Sequence, residues 1–233
     1  MKVQAYKTRV FREQENLLDF IIQHIPKIPD QSVLVITSKI VSLAEGRTRI
    51  LESSKAREKL IKAESQLAIR TKYVWLTIKD NMVMASAGID ESNANGKIIL
   101  LPKNSFTSAE KIRKQLQKYF KVKNLGIIIS DSRTMPLRAG IVGVALGYSG
   151  FAGVRDYRGK GDIFGRVLKF SRTDVADSLA TSAVLLMGEG AEQQPLAVIT
   201  QAPIEFRERI NRHELEIDIK EDLYQPLFEK IKN

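Results

Sequence analysis

Apolar positions along the chain recur at two periods, one helical and one of short unbroken runs, and their alternation predicts helices and strands in turn. Within 15–25, Leu18, Ile21, Ile22 and Ile25 fall on one helical face, and Pro26 stops the run. The stretch 32–37 (SVLVIT) reads as a strand, and 39–45 as the entry to a helix. Residues 55–70 again carry the amphipathic helical pattern. Two strands are predicted at 73–78 and 82–87, joined by the polar turn 79–81. In 107–120, Ile112, Leu116, Tyr119 and Phe120 share a face. Ser108 stands three residues ahead of Lys111 rather than a Glu, so only a simple cap is offered.

The run LGIIIS at 125–130 has no polar alternation, which marks an inner strand covered on both faces, and its end delivers Asp131. Glycines punctuate 141–148, with Gly143 and Gly147 where another backbone can come close. A further strand is expected at 166–170. The clearest helix is 173–187: Thr173 and Asp174 suit its start, and Ala176, Ala180 and Ala183 form a small-residue stripe for close packing. Gly188 or Gly190 ends it. Residues 195–200 read as a last core strand, followed by an acidic strand-like piece, 214–219, and a short helix, 223–231. No Pro/Ser-rich linker and no repeat divides the chain. The expectation is an α+β fold, mixed α/β with a substantial antiparallel sheet component, in one compact domain over 1–204, with 205–233 as a C-terminal extension packing on the same domain.

Composition adds limits. The 233 residues suffice for a self-sufficient core. With no cysteine there is no disulfide, thiolate metal site or cysteine nucleophile, and a reducing compartment follows most simply. Apolar runs fall far short of the ~20 residues of a bilayer span, and the first residues lack the apolar stretch of a signal peptide. The expected location is the cytoplasm. Charge has functional content: 37 basic against 27 acidic residues give +10, which suits an anionic partner. Between Lys103 and Lys123, seven basic residues face one acid, Glu110. That cluster is either a solvated helix face or a nucleic-acid surface, and the second reading lacks aromatic-interleaved or recognition-helix motifs.

Four polar clusters stand at the ends of predicted strands. Ser38-Lys39 offers a phosphate clamp, or merely a surface lysine, since no glycine-rich phosphate loop precedes it. SAGIDESN at 86–93 offers oxygen ligands for Mg²⁺ or Mn²⁺, or an Asx-type turn of the same composition. Ser130-Asp131-Ser132 puts a carboxylate at the mouth of a buried strand, a position that is costly unless paired or metal-bound. RDYRGKGDIFGR at 155–166 can wrap an anion, or its glycines can simply make turns.

Together these residues resemble a known family. The run from SDSRTMPLRAG at 130 to LLMGEG at 190, with SKIVSLAEGR upstream and SAGIDESN between, is similar to the glutamate ligases of the 5-deazaflavin coenzyme F-420, over about 33–199. The resemblance implies a homodimeric amide-forming ligase that uses GTP (or ATP) and Mg²⁺ or Mn²⁺, two ions by expectation. Its substrates would be an anionic coenzyme precursor and L-glutamate, with neither membrane nor nucleic acid as partner. By the same resemblance Asp90 and Asp131 are catalytic metal-binding aspartates and Ser132 stands at the family's metal-binding threonine. Ser38, Lys39 and Asn93 contact the nucleotide, and Arg158, Lys160 and Arg166 contact phosphate or carboxylate groups.

Departures from the family's pattern concentrate on the nucleotide. Leu43 replaces a lysine, and Thr134-Met135 replaces a Gly-Arg pair. Arg9-Val10-Phe11-Arg12 stands for an LPLI-like segment, and Thr200-Gln201-Ala202 for a glycine-bearing strand exit. A catalytically silent ligand-binding relative is therefore the alternative function, and a nucleic-acid binder the third. Neither His24 nor His213 lies in the matched motifs, so no histidine base is assigned.

Overall fold

A five-stranded mixed sheet runs through the centre of the computed structural model, which describes residues 1–229. In spatial order its strands are β1 (Lys2–Tyr6), β12 (Leu196–Thr200), β2 (Ser32–Thr37), β8 (Leu125–Thr134) and β9 (Ile141–Ser149). Only β2 and β8 are parallel, and every other neighbouring pair is antiparallel. The inner strands lack polar alternation because both faces are covered. Along β2, Leu34 and Ile36 meet Phe20 and Ile21 of α1 (Leu17–His24), Ile40 of α2 (Ser38–Ala44) and Leu116 of α4 (Ser105–Phe120). Val33 and Val35 point the other way, toward Ala176, Leu179 and Ala180 of α5 (Val175–Met187). All four β2 side chains are at most 1% exposed, and each such burial stabilises by about 1.5–3 kcal/mol.

The glycines of β9 sit where two helices come closest. A Cβ on Gly143 would lie 2.6 Å from the Ala180 carbonyl oxygen of α5, and one on Gly147 2.5 Å from the Phe106 nitrogen of α4. The alanine stripe of α5, fully buried, is the other half of that approach. Asn104, rather than Ser108, caps α4, accepting from the Thr107 N–H at 2.9 Å.

Smaller antiparallel pieces complete the fold: β3 (Thr48–Arg49) with β7 (Ile98–Ile99), β4 (Leu67–Arg70) with β5 (Trp75–Lys79) and β6 (Met82–Ala85), and β10 (Val154–Asp156) with β11 (Arg172–Asp174). Three expectations are corrected here. The helix predicted over 55–70 is α3 (Ser54–Ala63), and 67–70 leaves it to pair with β5, a partner that local periodicity does not reveal. Residues 166–170 form no strand. The Asp162 carboxylate accepts from the Phe164 and Arg166 N–H groups and winds the segment into turns, with a single bridge between Gly161 and Val167. Nor is 214–219 a strand: Glu214 turns inward to accept from the Tyr148 hydroxyl and the Gly153 N–H. The tail helix is α6 (Gln225–Glu229), and its predicted last residues, 230–231, lie outside the described residues.

The segment after β12 lies along the face of α5. Phe206 bridges Phe151, and the Ala152 N–H bonds the Glu205 carbonyl. Arg113 reaches this segment from α4. It is 2% exposed, donates to Ser149 Oγ at 3.0 Å and forms a fork with both oxygens of Glu208. One cation of the 103–123 cluster is therefore a core group with no access to a nucleic acid.

Candidate active site

β2 and β8 are parallel and paired as far as Thr37 and Ser130; β2 ends there while β8 runs on to Thr134 paired with β9, so the site opens at the carboxyl end of β2, where open α/β sheets ordinarily bind ligands. The chain passes from Thr37 straight into α2, so Ser38 and Lys39 stand beside the residue that β8 delivers, Asp131. Ser38 Oγ donates to Asp131 Oδ1 at 3.3 Å.

Asp90 arrives from a third segment. Its backbone exchanges both hydrogen bonds with Ile99, at 3.0 and 2.8 Å, which adds it to the β3–β7 ribbon. The turn before it is built for that delivery. Ser86 and Ala87 take left-handed φ of 49° and 56°, and the Ala87 N–H donates to Thr77 Oγ1 at 2.8 Å. Gly88, at φ +69°, has no room for a side chain, since a Cβ would lie 2.6 Å from Leu101. Ser92 then folds back on Asp90, its N–H on Oδ1 at 2.7 Å and its hydroxyl on Oδ2 at 2.9 Å. The Asx-type turn and the charged site are thus the same object. Lys39 closes it, with Nζ 2.8 Å from Asp90 Oδ2 and hydrogen-bonded to the Ser92 carbonyl and hydroxyl.

The two aspartates are pushed apart electrostatically. Burial raises Asp131 to about 6; the Asp90 charge adds to the rise, and the Ser132 N–H and the Arg133 charge oppose it only in part. Burial also works against ionised Asp90, but hydrogen bonds from Lys39 and Ser92 outweigh it and leave its carboxyl below the ordinary range. One carboxylate is neutralised by protein donors, while the other, on β8 just past the end of β2, has no salt-bridge partner among the described residues.

Both line a cavity of about 780 Å³ with Ser132 and Asn93. Ser38 stands against Asp131 just behind it. Phe11 and Leu43, two positions at which the sequence departs from the family's nucleotide pattern, line it with Ile40 as an apolar wall. The turn from Met187 to Pro195 lines it as well, where α5 ends. Glu13, Thr48 and Lys97 also line it: the Thr48 hydroxyl and the Lys97 ammonium both donate to the Glu13 carboxylate. Glu13 and Lys97 are 84 positions apart, and no local motif marks either.

The fourth cluster lies elsewhere. Arg158 and Lys160 border a separate cavity of about 610 Å³ between β10–β11 and residues 204–216, where Asp156 forks Arg158. Arg166 lines neither cavity. Within one chain these three cations are not brought to the aspartates.

The donor set fits a hard divalent cation. Among the described residues no three His, Cys, Asp or Glu side chains converge. Two carboxylates with serine hydroxyls nevertheless suit Mg²⁺ or Mn²⁺, which keep waters and substrate phosphates in their shell rather than using a protein cage. Ser130, next to Asp131, also lines the cavity, and its buried hydroxyl has no hydrogen-bond partner. No described helix is long and apolar enough to cross a membrane.

Comparison with known proteins agrees with this geometry. The family model described as F420-0:Gamma-glutamyl ligase matches residues 5–201. The chain is 37% identical over 212 residues to the coenzyme F420:L-glutamate ligase of Methanocaldococcus jannaschii, covering 83% of this chain and 84% of that protein. The protein of that name from Methanococcus maripaludis is 34% identical, covering 79% and 82%, and that from Archaeoglobus fulgidus 31%, covering 85% and 88%. Strand ends, aspartates and family match coincide, and the chain belongs to the F420-0:gamma-glutamyl ligase family.

Proposed function

We propose that this protein is a nucleotide- and metal-dependent amide ligase that joins L-glutamate to a deazaflavin-coenzyme acceptor, using the cavity between Lys39, Asp90 and Asp131. The observation that carries the reading is the convergence of three distant segments, at 38–39, 90–93 and 130–132, on one cavity of nucleotide size. In the reaction, an acceptor carboxylate oxygen attacks the terminal phosphorus of GTP or ATP, and the nucleoside diphosphate leaves. The glutamate amine then attacks the acyl carbon of the resulting acyl phosphate, phosphate departs, and the nitrogen gives up a proton. A divalent cation held by Asp90 and Asp131, with Ser132 as a neutral oxygen, supplies charge neutralisation of the phosphates. Lys39 lines the cavity beside Asp90, and its ammonium serves as the phosphate contact on exchanging one of its bonds to Asp90 or Ser92 for a phosphate oxygen. Asn93, on the same loop, is placed to orient the nucleotide.

The basic cavity at Arg158 and Lys160 is a second anion-binding region for the acceptor's acidic groups, and Arg166 stands on the same loop. A homodimer accounts for the large apolar side chains left exposed at the β8–β9 tip, Leu137 and Ile141, and on the 162–170 loop, Ile163, Phe164 and Phe170. The test of the nucleotide reading is thermal unfolding with GTP or ATP, with and without Mn²⁺. A ligand at a hundredfold excess over Kd stabilises the folded state by about 2.7 kcal/mol, and the shift should require the metal. No shift with any nucleotide at millimolar concentration would favour the silent relative instead.

A further inference from the structure

We infer that Arg133 binds the α-carboxylate of the incoming L-glutamate. The assignment rests on the proposed amide-forming reaction. Asp131 and Arg133 pair with Val144 and Val142 of β9 in an unbroken register, so their side chains share a face of β8 and their backbones stand roughly 7 Å apart. Arg133 nevertheless lines neither cavity. It is partly exposed and reaches across to β6, where its Nη2 meets the Met82 sulfur at 3.2 Å.

The bonding of this guanidinium is unfinished. Its Nε is buried without a hydrogen-bond partner, and the thioether beside Nη2 is a weak acceptor. The two acids whose charges reach it are engaged elsewhere: Asp177 accepts from the Ala145 N–H at 2.8 Å, and Asp131 from the Ser38 hydroxyl. Burial works against the Arg133 charge more than those two acids support it. A guanidinium in that state is costly to keep, and its planar fork of donors matches a carboxylate. The reaction brings one carboxylate that has no cation yet. The nucleotide phosphates meet Lys39 and the metal-binding aspartates, and the acceptor's acidic groups are assigned to the cavity at Arg158 and Lys160. L-Glutamate must set its amine about 3–3.5 Å from the acyl carbon beside Asp131, and its α-carboxylate is bonded to the carbon that carries the amine. The next cation along β8 from Asp131 is then where that carboxylate arrives, and gripping it aims the amine.

The test is steady-state kinetics of the full chain and of Arg133→Met and Arg133→Lys, with L-glutamate and with its α-amide, isoglutamine. Urea unfolding and the Kd of Mn²⁺ and of GTP are measured for each variant. Arg133→Met should raise the KM for L-glutamate tenfold or more and leave the acceptor KM and both Kd values within twofold. Arg133→Lys restores the charge without the fork and should recover part of the loss; it stands as the second probe if Arg133→Met does not fold. The wild type should use isoglutamine at least tenfold less efficiently than L-glutamate, and Arg133→Met should use the two within threefold of each other. That variant should be as stable as the wild type or more so, since it deletes a buried charge without an ion pair. An unchanged KM for L-glutamate, a raised KM for the acceptor instead, or undiminished discrimination against isoglutamine would overturn the assignment while leaving the ligase reading intact. Lowered stability with an equal loss for every substrate would overturn it too, giving Arg133 a structural role. A wild-type chain that forms no glutamyl amide would overturn the proposed function and this assignment with it.

Discussion

Ser38 and Asp131, 93 positions apart, share a hydrogen bond of 3.3 Å because β2 and β8 run parallel and β2 ends, at Thr37, level with Ser130. The contact joins the carboxyl end of β2 to the middle of β8 in one site. It also explains why the third contributor, Asp90, needs a shaped turn: that residue comes from outside the central sheet, delivered by the left-handed residues Ser86 and Ala87 and by Gly88. If the two aspartates share an ion, replacing either by Ala should weaken Mn²⁺ binding tenfold or more, because such an ion has few protein carboxylates and water does not make up for the loss of one. Calorimetry on each variant measures it, and unchanged affinity in both would remove the metal assignment.

Lys39 occupies two roles that a single substitution separates. In the folded protein its ammonium pairs with Asp90, and under the proposed function it contacts phosphate. Lys39→Met should therefore abolish the nucleotide-induced rise in melting temperature while leaving Mn²⁺ binding equal or stronger, since a competing cation has gone. The pair is partly exposed, so the apo protein should lose no more than about 1 kcal/mol. Thermal shift and calorimetry on one preparation give both numbers. A parallel loss of metal and nucleotide would contradict the division of roles.

Arg113 should matter for folding and not for ligand binding. Arg113→Ala removes a buried stem, strands the Ser149 hydroxyl and releases Glu208, at a cost of about 2–4 kcal/mol. Lys111→Ala or Lys118→Ala, on the exposed face of the same helix, should stay within about 0.5 kcal/mol. Urea unfolding of the three variants checks the contrast.

The pair Asp174 and Asp177 predicts a pH effect. Asp174 caps α5, accepting from the Asp177 N–H at 2.9 Å. Burial, and then the neighbouring Asp177 charge, push Asp174 up to about 6, and burial raises Asp177 as well. A carboxyl that holds its proton more tightly when folded removes stability as it ionises, so the pair's contribution falls between about pH 4 and pH 6. Asp174→Asn keeps a good cap and deletes one charge. It should stabilise at pH 7.5 by about 1–2 kcal/mol after discounting for solvent screening, and by little at pH 4. Melting curves at the two pH values decide it; equal shifts would refute the electrostatic cause.

Much of this architecture was legible in the residues. Unbroken apolar runs located β2, β8 and β12, and the glycines at 143 and 147 marked where α5 and α4 press on β9. Asp131 could be singled out because a carboxylate at the end of LGIIIS is costly to leave alone. What escaped depends on distant partners. Residues 67–70 follow a helical period and become a strand only because β5 is there to pair with them. The 166–170 segment has strand composition, but Asp162 gives its N–H groups a closer acceptor. The pairing of Glu13 with Lys97 joins a loop near the first helix to the end of the Asp90 loop, and nothing in either local sequence announces it. In the 103–123 charge run the lysines are exposed, as a solvated helix face requires, and Arg113 alone escapes that reading because it lies on the helix's buried side, opposite Ser149 and Glu208.

The central claim is that the cavity at Lys39, Asp90 and Asp131 makes a glutamyl amide at the expense of a nucleoside triphosphate. The direct measurement is a mass-spectrometric assay with the deazaflavin precursor, L-glutamate, GTP or ATP, and Mn²⁺, run on the wild-type chain and on Asp131→Asn. The account predicts an acceptor heavier by one glutamyl residue and one nucleoside diphosphate released per amide formed, in the wild type alone. A folded wild-type chain that binds nucleotide and metal yet yields no glutamylated product, or an Asp131→Asn chain that yields as much as the wild type, would contradict it.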